Sequence, residues 1–169
     1  MNIYLIGYRG SGKSSLGKVL SKMLKWKFID IDQEIVNNTG RTIPEIFSQS
    51  GEAAFRNIES EILKTVSSGQ NQVVSTGGGI IILGQNRDLI KKTGFCVYLT
   101  ADIPILITRI KGDKNRPALT DLTLEDEVNS VMKVREPIYQ SIADIKVDTG
   151  ISNINECAKV ILDSLQSIK

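Results

Sequence analysis

Short apolar runs and amphipathic stretches alternate along the whole of this chain. Residues 3–6, Ile-Tyr-Leu-Ile, read as a buried strand. Leu16, Val19, Leu20, Met23 and Leu24 follow at i, i+3, i+4, i+7 and i+8. That spacing predicts a helix with these residues on its buried face and Lys18, Lys22 and Lys25 in solvent. Further strands are predicted at 27–30, 72–75, 95–99 and 144–147. Between them lie helix starts: Thr42 ahead of Pro44 and Glu45, Thr123 ahead of Asp126, and Asn153 ahead of Glu156. The last helix presents Cys157, Val160, Ile161, Leu165 and Ile168 as its apolar stripe. Strands alternating with helices predict an α/β fold in which helices cover both faces of a parallel sheet. The polar stretch 111–122 fits neither element type and reads as a lid or as a disordered segment.

Composition narrows the chemistry. The 169 residues suit one domain, and a net charge of +2 is too balanced to point to nucleic acid or an anionic membrane. Histidine is absent, which excludes an imidazole base, a Ser-His triad and His-ligated zinc. Acid–base work must fall to carboxylates, lysines or tyrosine. Cys96 and Cys157 have no metal-ligand spacing and read as small buried hydrophobes. Apolar runs such as 80–83 are far too short to span a membrane, and the first residues lack the pattern of a secretion signal. A cytoplasmic protein is expected.

The strongest motif is Gly7-Tyr8-Arg9-Gly10-Ser11-Gly12-Lys13-Ser14, a G-x-x-x-x-G-K-S pattern between a predicted strand and a predicted helix. Glycines let successive backbone N–H groups converge on phosphate oxygens, and the helix that follows adds the positive end of its dipole. In this pattern Lys13 neutralises the β- and γ-phosphates and the Ser14 hydroxyl ligates magnesium. No N-K-x-D base-reading motif follows, which argues against a regulatory GTPase. The 72–75 strand runs into Gly77-Gly78-Gly79, which places bare backbone at the carboxyl edge of the sheet, where ligands bind in such folds. Asp30 and Asp32 close the second strand and share a face if that strand continues so far; a helix cap is the competing reading. Arg56 and Arg135 have the planar fork suited to a carboxylate, and Arg116 sits in the lid, where it can reach phosphates.

In order and spacing, residues 7–14, Asp30-Ile31-Asp32, Phe55-Arg56, Gly77-Gly78-Gly79, Arg116-Pro117 and Arg135-Glu136-Pro137-Ile138-Tyr139 resemble the shikimate kinases, from residue 2 to residue 149. The resemblance implies a P-loop three-layer sandwich spanning 1–169, with strand order 2-3-1-4-5, a mobile lid at 111–122 and an acceptor-binding region at 31–60. It implies ATP-dependent phosphorylation of the 3-hydroxyl of shikimate, on the route to chorismate and the aromatic amino acids, by a cytoplasmic monomer with magnesium. Lys13, Asp32 and Arg116 are then catalytic. Gly10, Ser11, Gly12, Lys13, Ser14, Ser15, Arg109, Arg116 and Ser152 bind ATP. Asp32, Arg56, Gly77, Gly78, Gly79 and Arg135 bind shikimate, and Ser14 and Asp30 hold magnesium. Two departures stand out: Arg9 adds a charge inside the phosphate loop, and Ser152 occupies a place where many members carry a basic or amide side chain. Another small P-loop kinase, of gluconate type, and a non-catalytic ATP-binding protein are the alternatives.

Overall fold

The computed structural model describes residues 1–111 and 122–167. Five strands, β1 (Asn2–Ile6), β2 (Lys27–Asp30), β3 (Gln72–Ser75), β4 (Gly94–Thr100) and β5 (Ile145–Asp148), form one sheet in the order β2-β3-β1-β4-β5. All four pairings are parallel, with Ile3 beside Val73 and Phe95 in the central register. Period-two alternation divides the strand side chains between two layers. Ile3, Leu5, Val73, Phe95, Val97 and Val147 pack with α1 (Lys13–Leu24) and α7 (Ile154–Gln166). Tyr4, Ile6, Val74, Cys96 and Tyr98 face the other helices: α2 (Ile31–Thr39), α3 (Ile43–Ser67), α4 (Gly84–Thr93), α5 (Ile103–Ile110) and α6 (Leu124–Ile142).

The capping signals act as read. Thr42 and Asn153 each form a complete capping box, with Glu45 and Glu156, and the Thr123 hydroxyl accepts from the Asp126 N–H. Two helix faces differ from the expected ones. Met23 is 45% exposed and Val160 is 50% exposed, while Gly17 and Ser21 are buried in α1. The seam of α1 runs through Leu16, Gly17, Leu20 and Ser21 because small residues let the helix lie close to Phe28, a contact that a hydrophobicity pattern does not register. Ile168 lies outside the described residues.

Cys96 and Cys157 are both free and buried. Burial and the nearby Asp144 push the Cys96 thiol up to about 12, and burial raises Cys157. Both thiols therefore stay protonated at neutral pH, and the thiolate is the reactive form. A thiol reagent at pH 7.5 should label neither in the folded protein and both after denaturation. Labelling of native Cys96, read by intact mass, would contradict this burial.

Candidate active site

The strand order sends the chain out of β1 toward β2 and β3 on one side and toward β4 and β5 on the other. The crevice at the carboxyl ends of the central strands is therefore the place where a parallel sheet binds ligands. The phosphate loop lies there, between β1 and α1. Lys13 is buried, and its ammonium donates to the Gly7 and Tyr8 carbonyl oxygens at 2.9 and 2.8 Å. Loop backbone thus holds the cation at the mouth of the helix. The Ser14 hydroxyl donates to Asp30 Oδ2 at 2.6 Å and lies 3.1 Å from the Ser75 hydroxyl.

Asp30 and Asp32 do not sit on one strand. β2 ends at Asp30, whose Oδ1 caps α2 by accepting from the Asp32 and Gln33 N–H groups at 3.1 and 3.4 Å. That cap turns the backbone helical at Ile31, so Asp32 stands on the first turn of α2, where the helix dipole favours a negative side chain. Asp30 serves both readings at once: one oxygen caps, the other meets Ser14. Asp32 lines a cavity of about 280 Å³ together with Arg9, Lys13, Ser14 and Thr76.

A second cavity adjoins this one, with an apolar wall of Ile43, Phe47 and Phe55 and a polar wall of Arg56, Glu59 and Arg135. Its base is Gly78 and Gly79, and the triple glycine is explained by what presses on it. A Cβ at Gly77 would stand 2.5 Å from Glu59 Oε1, and one at Gly79 would stand 2.4 Å from the Arg56 guanidinium. Tyr139, fully buried and stacked on Tyr98 at 5.1 Å, donates its hydroxyl to the Gly78 carbonyl and pins the loop. Arg56 is fixed by Glu59 at 2.8 Å and Glu52 at 3.0 Å. Burial raises the Glu59 carboxyl above the usual range, and the Arg56 guanidinium opposes that shift. Two guanidiniums beside an aromatic and aliphatic wall suit a small acceptor with one anionic group and an apolar face.

A third cavity, about 550 Å³, opens beyond the loop and is lined by Gly10, Gly12, Ser15, Arg109, Thr149 and Ser152. Arg109 donates to the Gly10 carbonyl at 3.2 Å and to the Thr149 carbonyl at 2.8 Å, so its plane borders this space. The Thr149 hydroxyl donates to the Ser11 carbonyl at 3.0 Å and ties the end of β5 to the phosphate loop.

Residues 9–166 match the family model of shikimate kinase. This chain belongs to the shikimate kinase family. It is 40% identical over 170 residues to the shikimate kinase of Rhodopirellula baltica, across 98% of this chain and 91% of the relative. A solved structure of shikimate kinase from Acinetobacter baumannii in complex with shikimate superimposes at a TM-score of 0.95 and 37% identity, covering 99% of this chain and 94% of that one. Shikimate kinase from Aquifex aeolicus gives a TM-score of 0.85 at 40% identity, covering 98% and 96%.

Within this shikimate kinase fold, the sequence motifs fall around three adjoining cavities at one sheet edge. Arg116 and nearly all of the 111–122 segment lie outside the described residues. Glu59, Tyr139, Thr149 and Glu127 also build the site and carry no role in the sequence reading. An Arg-x-x-Glu spacing on one helix face signals Glu59, and Tyr139 closes a motif already noted. Thr149 and Glu127 act across 138 and 118 residues, with no local signal. Among the described residues, no group of three or more His, Cys, Asp or Glu is placed to hold a metal, and no helix is long and apolar enough to cross a membrane.

Proposed function

We propose that this chain transfers the γ-phosphoryl group of ATP to the 3-hydroxyl of shikimate, yielding shikimate 3-phosphate and ADP. The observation that carries this reading is the junction of a phosphate cradle with an apolar-walled cavity flanked by Arg56 and Arg135. Arg56 and Arg135 hold the acceptor carboxylate, and the Gly77-Gly78-Gly79 backbone seats its ring. Asp32 stands on the phosphate side of the junction, where the accepting hydroxyl must lie to reach the γ-phosphate. It orients that hydroxyl and receives its proton as the new oxygen–phosphorus bond forms and the bond to the β-phosphate oxygen breaks. The N–H groups of residues 10–15 and the Lys13 ammonium take the phosphate charge. Arg109 and Ser152 border the nucleobase. Arg116 is assigned to the phosphates by the family resemblance alone.

Magnesium carried with ATP neutralises charge on the β- and γ-phosphates. Such a metal needs one or two protein oxygens beside phosphates and waters, and the Ser14 hydroxyl and Asp30 carboxylate, 2.6 Å apart, fit that need. The acceptor cavity holds about 40 Å³, room for only about three waters at the ~10–15 Å³ each requires. The acceptor therefore enters with movement of the 31–60 region. Gly51, at φ 79° and ψ 172°, breaks α3 between Ile43 and Phe47 on one side and Phe55, Arg56 and Glu59 on the other. Only glycine adopts that backbone readily, which makes it the natural pivot.

ADP release from magnesium ATP, with shikimate, quinate and gluconate in parallel, tests the reading. Stimulation by shikimate alone is expected; stimulation by another acceptor would discard this substrate. In the same assay Arg135→Lys should raise the shikimate KM by about tenfold or more, since the bidentate fork is lost, with the ATP KM unchanged. An unchanged shikimate KM would remove Arg135 from the clamp.

A further inference from the structure

Arg9 stands in a variable position of the phosphate loop, and among the described residues it is the one that lines both the phosphate cavity and the acceptor cavity. The transferred group must cross that shared wall. The Arg9 side chain is 13% exposed and forms an ion pair through Nη2 with Glu127, which is 2% exposed on the first turn of α6. Its Nε is buried without a hydrogen-bond partner. A buried ion pair gains little stability over an apolar pair of similar volume, because both charges lose their water. What the pair does provide is a guanidinium held in one place. Glu127 lines neither cavity and reaches their shared wall through its ion pair with Arg9.

We propose that Arg9 is a further catalytic residue whose guanidinium meets the γ-phosphoryl group in transit between the two cavities, and that Glu127 is the positioning residue that holds it there. The inference rests on the phosphoryl-transfer reading above. It explains why a loop already carrying Lys13 holds a second cation on the acceptor side. Charge on the group in transit is spread over its equatorial oxygens, and Lys13 lines the phosphate cavity only, so Arg9 adds a cation on the acceptor side. Because Glu127 offsets part of its charge, Arg9 contributes less than an unpaired arginine finger.

The test compares wild type with Arg9→Met, Glu127→Gln, Glu127→Asp and the double variant Arg9→Met/Glu127→Met, reading kcat and both KM values beside the thermal midpoint. The double variant replaces both members of the pair by apolar side chains and so strands neither charge of the pair, and its thermal midpoint reads whether it is folded. Expected is a kcat loss of about 30-fold in Arg9→Met and in the double variant, with both KM values within about threefold, as for an interaction made only in the transition state. Glu127→Gln should lose about tenfold in kcat and Glu127→Asp should recover part of it, whatever the thermal midpoint does. A double variant with kcat within about threefold of wild type would overturn the proposal, as would a rise in the shikimate KM at unchanged kcat. Wild type that releases no ADP with shikimate would overturn the functional reading and this inference together; active wild type beside an active double variant overturns this inference alone.

Discussion

Replacing Lys13 with methionine should lower kcat by about 10³-fold or more, near the range for losing a charged donor aimed at a transferring phosphoryl group. The size follows from where the ammonium is held. Lys13 is 8% exposed, at the head of α1, and two loop carbonyls fix its nitrogen. It is thus in place before any phosphate arrives and needs no reorganisation as charge develops. Methionine keeps the length and most of the volume of the stem but removes the charge and all three donors. The Gly7 and Tyr8 carbonyls then lose a partner, at a cost of about 1–3 kcal/mol, well within what a domain of this size tolerates. The variant should therefore unfold cooperatively, a few degrees lower, while releasing no measurable ADP. Full turnover in a folded Lys13→Met protein would overturn the cradle assignment.

What could be read from the sequence divides along physical lines. Local rules were legible: the strand–glycine loop–helix transition, the capping boxes at Thr42 and Asn153, and the alternation that splits Ile3 and Leu5 from Tyr4 and Ile6. Each depends on residues within a few positions of one another. The place of Asp32 turns on a single cap: Asp30 satisfies two N–H groups and β2 stops there, so of the two readings the sequence allows the helix cap holds and the continued strand does not. Met23 and Val160 fooled the periodicity because a helix seam is chosen by shape as well as hydrophobicity, and Gly17 allowed the closer approach. The partners that hold the site came from far along the chain. Glu127 reaches Arg9 and Tyr139 reaches Gly78 only after the sheet has folded. Nothing local to either residue encodes that meeting.

Asp32 gives the second large effect and also separates two roles for a carboxylate. Asp32→Ala should lower kcat by about 10³-fold, or about 4 kcal/mol at 1.36 kcal/mol per decade, and should raise the shikimate KM while sparing that of ATP. Stability should change by less than about 1 kcal/mol, the worth of one acidic side chain in a first helical turn. Asp32→Asn is the sharper probe. Its amide oxygen still accepts the hydrogen bond of a hydroxyl, but the group can neither carry a negative charge nor take up the proton. In a loose phosphoryl-transfer transition state the nucleophile keeps its proton until late, so holding the hydroxyl in line matters more than removing its proton. Asp32→Asn should therefore recover about tenfold of what alanine loses. An asparagine variant as inactive as the alanine one would make proton removal, and not alignment, the principal work of Asp32. Near-normal kcat in the alanine variant would take Asp32 out of the transfer step altogether. Its position already favours alignment: it lines the phosphate cavity, with Oδ1 about 3.2 Å from where a Cβ of Gly77 would stand. On the proposed reading the carboxylate lies beside the Gly77 backbone at the phosphate cavity, a place from which it can hold the accepting hydroxyl in line.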